Sequence, residues 1–220
     1  PVIPFSPDTK LSLALRTDFA DSFGSRTIWK FGFRQPIGAF YIRANGGTSY
    51  SLPRTNELFV DTPTLVGNPN LKTEETETYN GGIGFATEFG NVAVNAEIGA
   101  FHTGVTNRIQ TKVPLPGEAE GIPGWTPGKS IYFNNDRITQ IRGLTADLDV
   151  RVGKGFSFNV NFTKQKAHLD GDDLQINETP EYMIGGNVRW SSPDDRFSVT
   201  LFPRYQGPEY ATGGVNNALR

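Results

Sequence analysis

Apolar and polar residues alternate with a period of two through most of the chain, and that period leaves little choice of secondary structure. Val92, Val94, Ala96, Ile98 and Ala100 interleave with Ala93, Asn95, Glu97 and Gly99. Leu144, Ala146, Leu148, Val150 and Val152 interleave with Thr145, Asp147, Asp149 and Arg151. Phe156, Phe158, Val160 and Phe162 interleave with Ser157, Asn159 and Asn161. Successive side chains of a strand point to opposite faces, so each run specifies a strand with one uncharged face. The same reading holds for Leu11–Phe19, Trp29–Phe33, Phe40–Tyr50, Tyr79–Phe85, Tyr182–Trp190 and Phe197–Tyr205, and a further strand is expected near Tyr210.

The connections alternate in length. Gln35-Pro36-Ile37-Gly38, Glu88-Phe89-Gly90-Asn91, Gly153-Lys154-Gly155 and Ser192-Pro193-Asp194-Asp195 read as tight turns. Between them lie long polar stretches from Ser51 to Glu74, Asn107 to Ser130 and Ala167 to Glu178. Antiparallel strands place alternate connections at opposite ends, so one end is trimmed and the other carries elaborate loops. That is the plan of an outer-membrane barrel. A charged side chain at mid-bilayer on the lipid face costs roughly 2–4 kcal/mol, and the apolar rows avoid it. Phe33, Phe40, Phe156, Trp190 and Phe197 are expected to form an aromatic girdle near the tight turns. The fold class expected is therefore all-β: an antiparallel up-and-down transmembrane β-barrel, here a partial barrel of about nine or ten strands. A soluble β-sandwich also alternates, but with its apolar rows inward.

Composition narrows function more than fold. The formal net charge of -2 lacks the basic excess of a nucleic-acid binder. With Cys 0 there is no disulfide framework and no thiolate metal site. No apolar run is long enough for a transmembrane helix, which does not bear on a barrel built from short, half-apolar strands. Pro1 and the loop-like stretch from Gly213 to Arg220 lead to the expectation that the chain, taken as one domain over 1–220, is a piece of a longer protein.

Several segments resemble the TonB-dependent outer-membrane receptor family. Gly67-Asn68-Pro69-Asn70-Leu71-Lys72-Thr73-Glu74, followed by Tyr79-Asn80-Gly81-Gly82-Ile83-Gly84-Phe85, is similar to the family's Asn-Pro-x-Leu-Lys-Pro-Glu loop and the strand after it. Tyr50-Ser51-Leu52-Pro53 with Glu57-Leu58-Phe59, Phe101-His102-Thr103-Gly104-Val105 with Ile109, and Ile141-Arg142-Gly143-Leu144-Thr145 resemble further family elements in the family's order. The departures are Thr73 for the usual Pro, Asn80 and Thr145 for usual Glu residues, and a reduced Phe-Arg-Ala element. The resemblance implies a 22-stranded barrel whose plug, energy-coupling box and closing strands lie outside this chain. It implies import of a scarce large solute, siderophore-, cobalamin- or oligosaccharide-like, across the bacterial outer membrane with TonB-coupled energy. The partners implied are outer-membrane lipid, the TonB complex through the plug region, and a small-molecule or oligosaccharide ligand.

Candidate residues follow from this frame. Arg16, Asp18, Lys30, Arg43, Glu97, Asp147, Asp149 and Arg151 lie on polar faces and are expected to face a plug in the lumen; water or mutual pairing is the alternative. Arg54, Asn56, Glu57, Asn134 and Asn135 fall at loop ends where they can reach a ligand, or simply hold the loops. Trp125, inside Pro123-Gly124-Trp125-Thr126-Pro127-Gly128, can stack on a ligand or pin its loop. Pro69 fixes a turn and Asn68 and Asn70 can brace it locally. Gly81, Gly82 and Gly84 suit close approach at a strand and not a phosphate loop, since no helix pattern follows. His102 and His168 lack partners at metal spacing. Asp170-Gly171-Asp172-Asp173 lacks the spacing of a calcium loop and reads more simply as a turn. No nucleophile motif is present, so neither enzymatic activity, a metal nor a cofactor is expected. A passive porin-like channel and a soluble ligand-binding sandwich are the competing functions.

Overall fold

A computed structural model describes residues 8–20, 23–172, 176 and 179–208. The strand expected near Tyr210 and the stretch from Gly213 to Arg220 lie outside the described residues. The elements are β1 (Lys10–Ala20), β2 (Gly24–Ile37), β3 (Phe40–Ser51), α1 (Thr55–Phe59), β4 (Leu65–Val66), β5 (Glu74–Phe89), β6 (Val92–Thr106), β7 (Ile109–Lys112), β8 (Ser130–Asn134), β9 (Thr139–Val152), β10 (Phe156–Leu169), β11 (Tyr182–Ser191), β12 (Ser198–Leu201) and β13 (Arg204–Gln206).

The long strands form one antiparallel wall in the order β1-β2-β3-β5-β6-β9-β10-β11-β12, with β13 also on β11. β12 and β13 keep a common register on β11 and are two halves of one strand. They part at Pro203, which has no N–H to donate to the ladder, although its carbonyl still accepts from Gly186 at 3.1 Å. The wall is a partial up-and-down barrel. Its tight reversals each contain a residue with positive φ: Gly38, Gly90, Gly153 and Asp195. The opposite end carries the long loops, with one exception. Ala20 pairs directly with Gly24, so the β1–β2 connection there is short.

Cross-strand register aligns the apolar residues into rows. Phe85, Ala96, Leu148 and Val160 lie side by side. Ile42, Ile83, Ile98, Ala146, Phe162 and Ile184 form the next row. Nothing among the described residues covers these rows: Ile83 is 54% exposed and Ile98 66%. Buried apolar side chains are few, and several of them, Val66, Leu71, Ala119 and Ile131, sit in the loops. A sandwich would bury these rows between two layers, so the wall is that of a membrane barrel.

Several strands run past the apolar band at the loop end. Above Ala100, Leu144 and Phe162 the same faces carry His102, Arg142, Lys164 and Lys166, and above Tyr79 they carry Glu77 and Glu75. At about 3.4 Å per residue and a tilt of about 40°, the climb from Val92 to His102 is about 26 Å. That matches the ~25 Å apolar band of outer-membrane barrels. Phe40, Phe156, Trp190 and Phe197 lie at or beside the tight turns, as the girdle requires. Phe33 does not, because it pairs with Ala44, well inside the Ile37–Phe40 turn. A second aromatic group marks the loop-end boundary. The rings of Phe31 and Tyr79 fold over Gly46, and Trp29 stands 6.1 Å from Tyr79.

Leu148→Arg is expected to destabilise the intact barrel in lipid vesicles by about 2–4 kcal/mol in urea titrations, and Asn95→Arg on the opposite face by clearly less. The segment alone, in which the outer edges of β1 and of β12 and β13 have no partner strand among the described residues, is expected to show no heat-modifiable gel migration, because lipid does not tolerate open edges.

Candidate functional site

Two regions bring polar side chains together: the middle of the polar face, and the loop end.

On the polar face, Tyr41 and Arg43 of β3 reach across β5 to Glu97 of β6. Tyr41 donates its hydroxyl to Glu97 Oε2 at 2.9 Å, and Arg43 donates from Nε to Glu97 Oε1 at 2.6 Å. Arg43 also donates to Asn80 Oδ1 at 3.0 Å, and the Arg34 guanidinium lies 4.1 Å above the Tyr41 ring. The intervening positions on β5 are Gly84 and Gly82, opposite Tyr41 and Arg43. A Cβ on Gly84 would overlap the Tyr41 ring, and one on Gly82 would come 2.8 Å from the Ile98 carbonyl. The glycine run therefore lets side chains lie flat across a strand, the close approach that its composition suggests. Asp147 is the cross-strand neighbour of Glu97 on β9.

The remaining lumen candidates share this face. Arg16 and Asp18 form an ion pair at 2.9 Å, and Asp18 also accepts the Tyr50 hydroxyl at 2.9 Å. Arg151 pairs with Asp149 at 3.2 Å. Lys30 stands opposite Gly47, the last pair before β2 and β3 part. Beyond that point a cleft of about 290 Å³ opens between them, lined by Arg26, Trp29, Thr48, Tyr50 and Glu75 among others. Sequence reasoning did not find this cleft. Its signal was Gly46-Gly47, which interrupts the alternation of β3.

At the loop end, β4 from one long loop joins β8 and β7 from the next in a small separate sheet. Residues 130–134 thus belong to the loops and not to the barrel wall, which lengthens that connection to Ile138. The Asn-Pro-Asn-Leu-Lys segment is the clamp between the loops. Asn68 Oδ1 accepts the Asn70 N–H at 3.0 Å, and its Nδ2 donates to the Tyr132 carbonyl at 3.0 Å. Asn134 accepts from Lys72 N–H at 2.8 Å and donates to the carbonyls of Lys72 at 3.0 Å and Asn107 at 2.7 Å. Leu71 and Thr73 are buried beneath, and Glu74 accepts the Ile109 N–H at 2.6 Å.

These bonds place the ligand candidates. Asn134 and Asn135 are occupied within the loops, Asn135 through Gln110 and the Arg137 N–H. Trp125 donates to the Lys129 carbonyl at 3.0 Å, while Lys129 pairs with Asp61 at 2.7 Å, so the indole pins its loop. Glu57 accepts from the Arg54 N–H at 2.7 Å and caps the short helix α1. Arg54 and Asn56 are exposed. His102 and His168 lie on neighbouring regions of the wall without forming a metal cluster; no such cluster exists among the described residues.

Asn134→Ala is expected to remove three hydrogen bonds to main-chain groups, two at exposed Lys72 and one at half-buried Asn107, a cost of about 0.5–1.5 kcal/mol each. Amide exchange at Lys72 should accelerate while mid-strand β6 amides stay protected. The Glu118 carboxyl is held below its ordinary range, chiefly by the Lys112 ammonium and then by the Leu115 N–H. A lowered value means the contact is present above the ordinary carboxylate range and is lost as pH falls through the lowered one. Carbon NMR titration of Glu118 should therefore show it ionised at pH values where exposed glutamates are already half protonated, and Lys112→Met should remove most of the difference.

A profile of the family described as "TonB dependent receptor-like, beta-barrel" matches residues 2–219. The vitamin B12 transporter BtuB of Photobacterium profundum is 34% identical over 73 residues, 33% of this chain and 12% of that protein. Among solved structures, the siderophore receptor PirA from Acinetobacter baumannii superposes with a TM-score of 0.70 at 18% identity, covering 97% of this chain and 33% of that one. A mutant of the ferric enterobactin receptor from Pseudomonas aeruginosa, solved with enterobactin, gives 0.68 at 20% identity over 94% of this chain and 31% of that one. The chain spans about a third of these solved structures and a smaller share of the B12 transporter. These relatives are receptors and transporters, not enzymes.

Proposed function

The chain belongs to the TonB-dependent receptor-like β-barrel family, and on that premise we propose that it is one wall of an outer-membrane receptor importing a scarce large solute. The barrel family is one of outer-membrane proteins, and the apolar band described above suits that place. The rest of the receptor, including a plug and further strands of a 22-stranded barrel, is supplied by segments outside residues 1–220.

The observation that carries the reading is the bridged Tyr41–Arg43–Glu97 cluster with Asn80 and Asp147 beside it. A pore for one kind of ion gains from a lining of one sign. A wall that interlocks both signs in fixed geometry offers a folded plug directional partners. Arg16, Asp18, Lys30, Asp149 and Arg151 extend that docking surface. The second support is the cross-braced loop end, which gives a preorganised rim. There the exposed Arg54 and Asn56 are candidates to meet a ligand, and the Arg26–Glu75 cleft between β2 and β3 is a second polar recess. Glu57, Trp125, Asn134 and Asn135 shape that rim. The solute is siderophore-, cobalamin- or oligosaccharide-like, the first two being what the relatives are named for. Energy comes from TonB through the plug, and no covalent chemistry is performed.

Cells lacking the intact gene should lose uptake of one labelled solute from these classes, and uptake in wild-type cells should stop on adding an uncoupler. Uptake that continues unchanged without the proton-motive force would favour a passive channel. R54A/N56A is expected to weaken solute binding about tenfold or more, a loss of charge-assisted bonds, with the thermal midpoint unchanged.

A further inference from the structure

We propose that the solute carried by this receptor is anionic, and that a ladder of cations on the inner face of β1, β2 and β3 hands it down the wall; the inference rests on the receptor reading above. On β2 every fourth residue along part of that face is basic: Arg26 at the loop end, Lys30 in the middle and Arg34 near the tight turn. At about 3.4 Å per residue and a tilt of about 40°, the three span about 21 Å of wall height. Register adds cations from the flanking strands. Arg16 of β1 stands opposite Ile28, between Arg26 and Lys30. Lys10 of β1 and Arg43 of β3 stand on either side of Arg34, so three cations share one row.

Like charges directly opposite each other weaken a cross-strand pair. Arg43 is compensated by Glu97, and the Arg34 guanidinium lies over the Tyr41 ring. Lys30 and Arg34 are both exposed and form no ion pair among the described residues. Counting in full every carboxylate that shares or reaches this sector still leaves it positive. Asp8 precedes Lys10, and Asp18 pairs with Arg16 and lies opposite Arg26. Glu75 comes within 3.5 Å of Arg26, and Glu97 holds Arg43. Those four acids stand against six cations. Glu74, Glu88, Asp147 and Asp149 share the inner face but belong to β5 and β9.

The space beside the cations points to a passing occupant. Lys30 stands between Ala14 and Gly47, and Gly32, next on that face, lies between Ser12 and Asn45. These small neighbours leave the ammonium open to the lumen. A docking contact gains from interlocked partners of the Tyr41–Arg43–Glu97 kind. Lys30 and Arg34 are instead long side chains at spaced stations. Passage needs attraction strong enough to draw a solute in and sites weak and numerous enough to release it, which spaced single cations provide. The plug covers Lys30 in the resting receptor, and its withdrawal uncovers the ladder. An anionic solute such as a ferric tris-catecholate is then drawn to each station in turn. A neutral chelate, cobalamin or a neutral oligosaccharide gains little there.

The test measures import by cells with the full-length receptor and by cells lacking its gene. The radiolabelled probes are an anionic ferric tris-catecholate, a neutral ferric tris-hydroxamate, cobalamin and a neutral malto-oligosaccharide. Receptor-dependent import of the ferric tris-catecholate is expected, ahead of the other probes. K30Q/R34Q should lower its maximal import rate about tenfold and change half-saturation less than about twofold, with heat-modifiable migration intact. K30R/R34K, which keeps both charges, should import near the wild-type rate. Equal or faster import of a neutral probe, or an unchanged rate in K30Q/R34Q, would overturn the proposal and leave the receptor reading standing. An equal loss in K30R/R34K and K30Q/R34Q, or a lower thermal midpoint in K30Q/R34Q, would overturn it by assigning the cations to plug docking. If loss of the gene alters import of none of the probes, the receptor reading falls and the proposal with it.

Discussion

In hydrocarbon a backbone N–H or C=O has no water to turn to, so each must be paired within the protein. The structure of this chain follows from that constraint. Long antiparallel ladders pair the main chain of the strands from β2 to β11 on both sides through the spanning region, and the strand period then assigns every second side chain to lipid. Interruptions of the ladder fall where they are tolerated: at Pro203, where only one donor is lacking, and at the parting of β2 from β3 beyond the Lys30–Gly47 pair, above the apolar band. The β4–β8–β7 sheet and α1 stand at the loop end for the same reason. Irregular backbone is confined to water.

The polar face obeys a different requirement. Long charged side chains inside a wide barrel must be held if they are to present a defined surface, and neighbours directly across a ladder are too few to do it. The glycines of β5 solve this by removing two side chains from the middle of the wall. Tyr41 and Arg43 then bridge to Glu97 over the bare strand. A substitution at Gly84 thus acts on the tyrosine, and through it on the arginine–glutamate pair, without altering any charged residue. The loop end repeats the principle with side-chain amides: Asn68 and Asn134 take up main-chain groups that no ladder reaches.

Much of this was readable in the sequence, because strand parity is a local signal that needs no knowledge of partners. The rows through Ile98, Leu148 and Phe162, and three of the four tight turns with their glycines, follow from composition and period alone. The Asn-Pro-Asn-Leu-Lys segment stood out as well, although its work became visible only with Tyr132 and Lys72 in place. What could not be read was anything set by register. Parity places His102, Arg142 and Lys164 on the outer face, yet only the pairing of β6, β9 and β10 makes them neighbours. Strand 130–134 carries an alternation like that of a barrel strand, and its departure into a separate sheet depends on β4, some sixty residues away. The girdle reading of Phe33 failed for a related reason: distance from a turn depends on where the ladder closes, at Ile37 and Phe40.

The central claim is that uncharged rows meet lipid while the Glu97 face meets an enclosed interior, and residues 1–220 hold no cysteine to compete with a label placed there. Single-cysteine variants at Ile98, Leu148, Asn95 and Asp149 of the full-length receptor, spin-labelled and reconstituted in bilayers, can be relaxed by oxygen or by a water-soluble nickel chelate. Labels at 98 and 148 should respond strongly to oxygen and scarcely to nickel, and labels at 95 and 149 should show the opposite or shielding from both. Strong nickel relaxation at 98 and 148 would contradict the account.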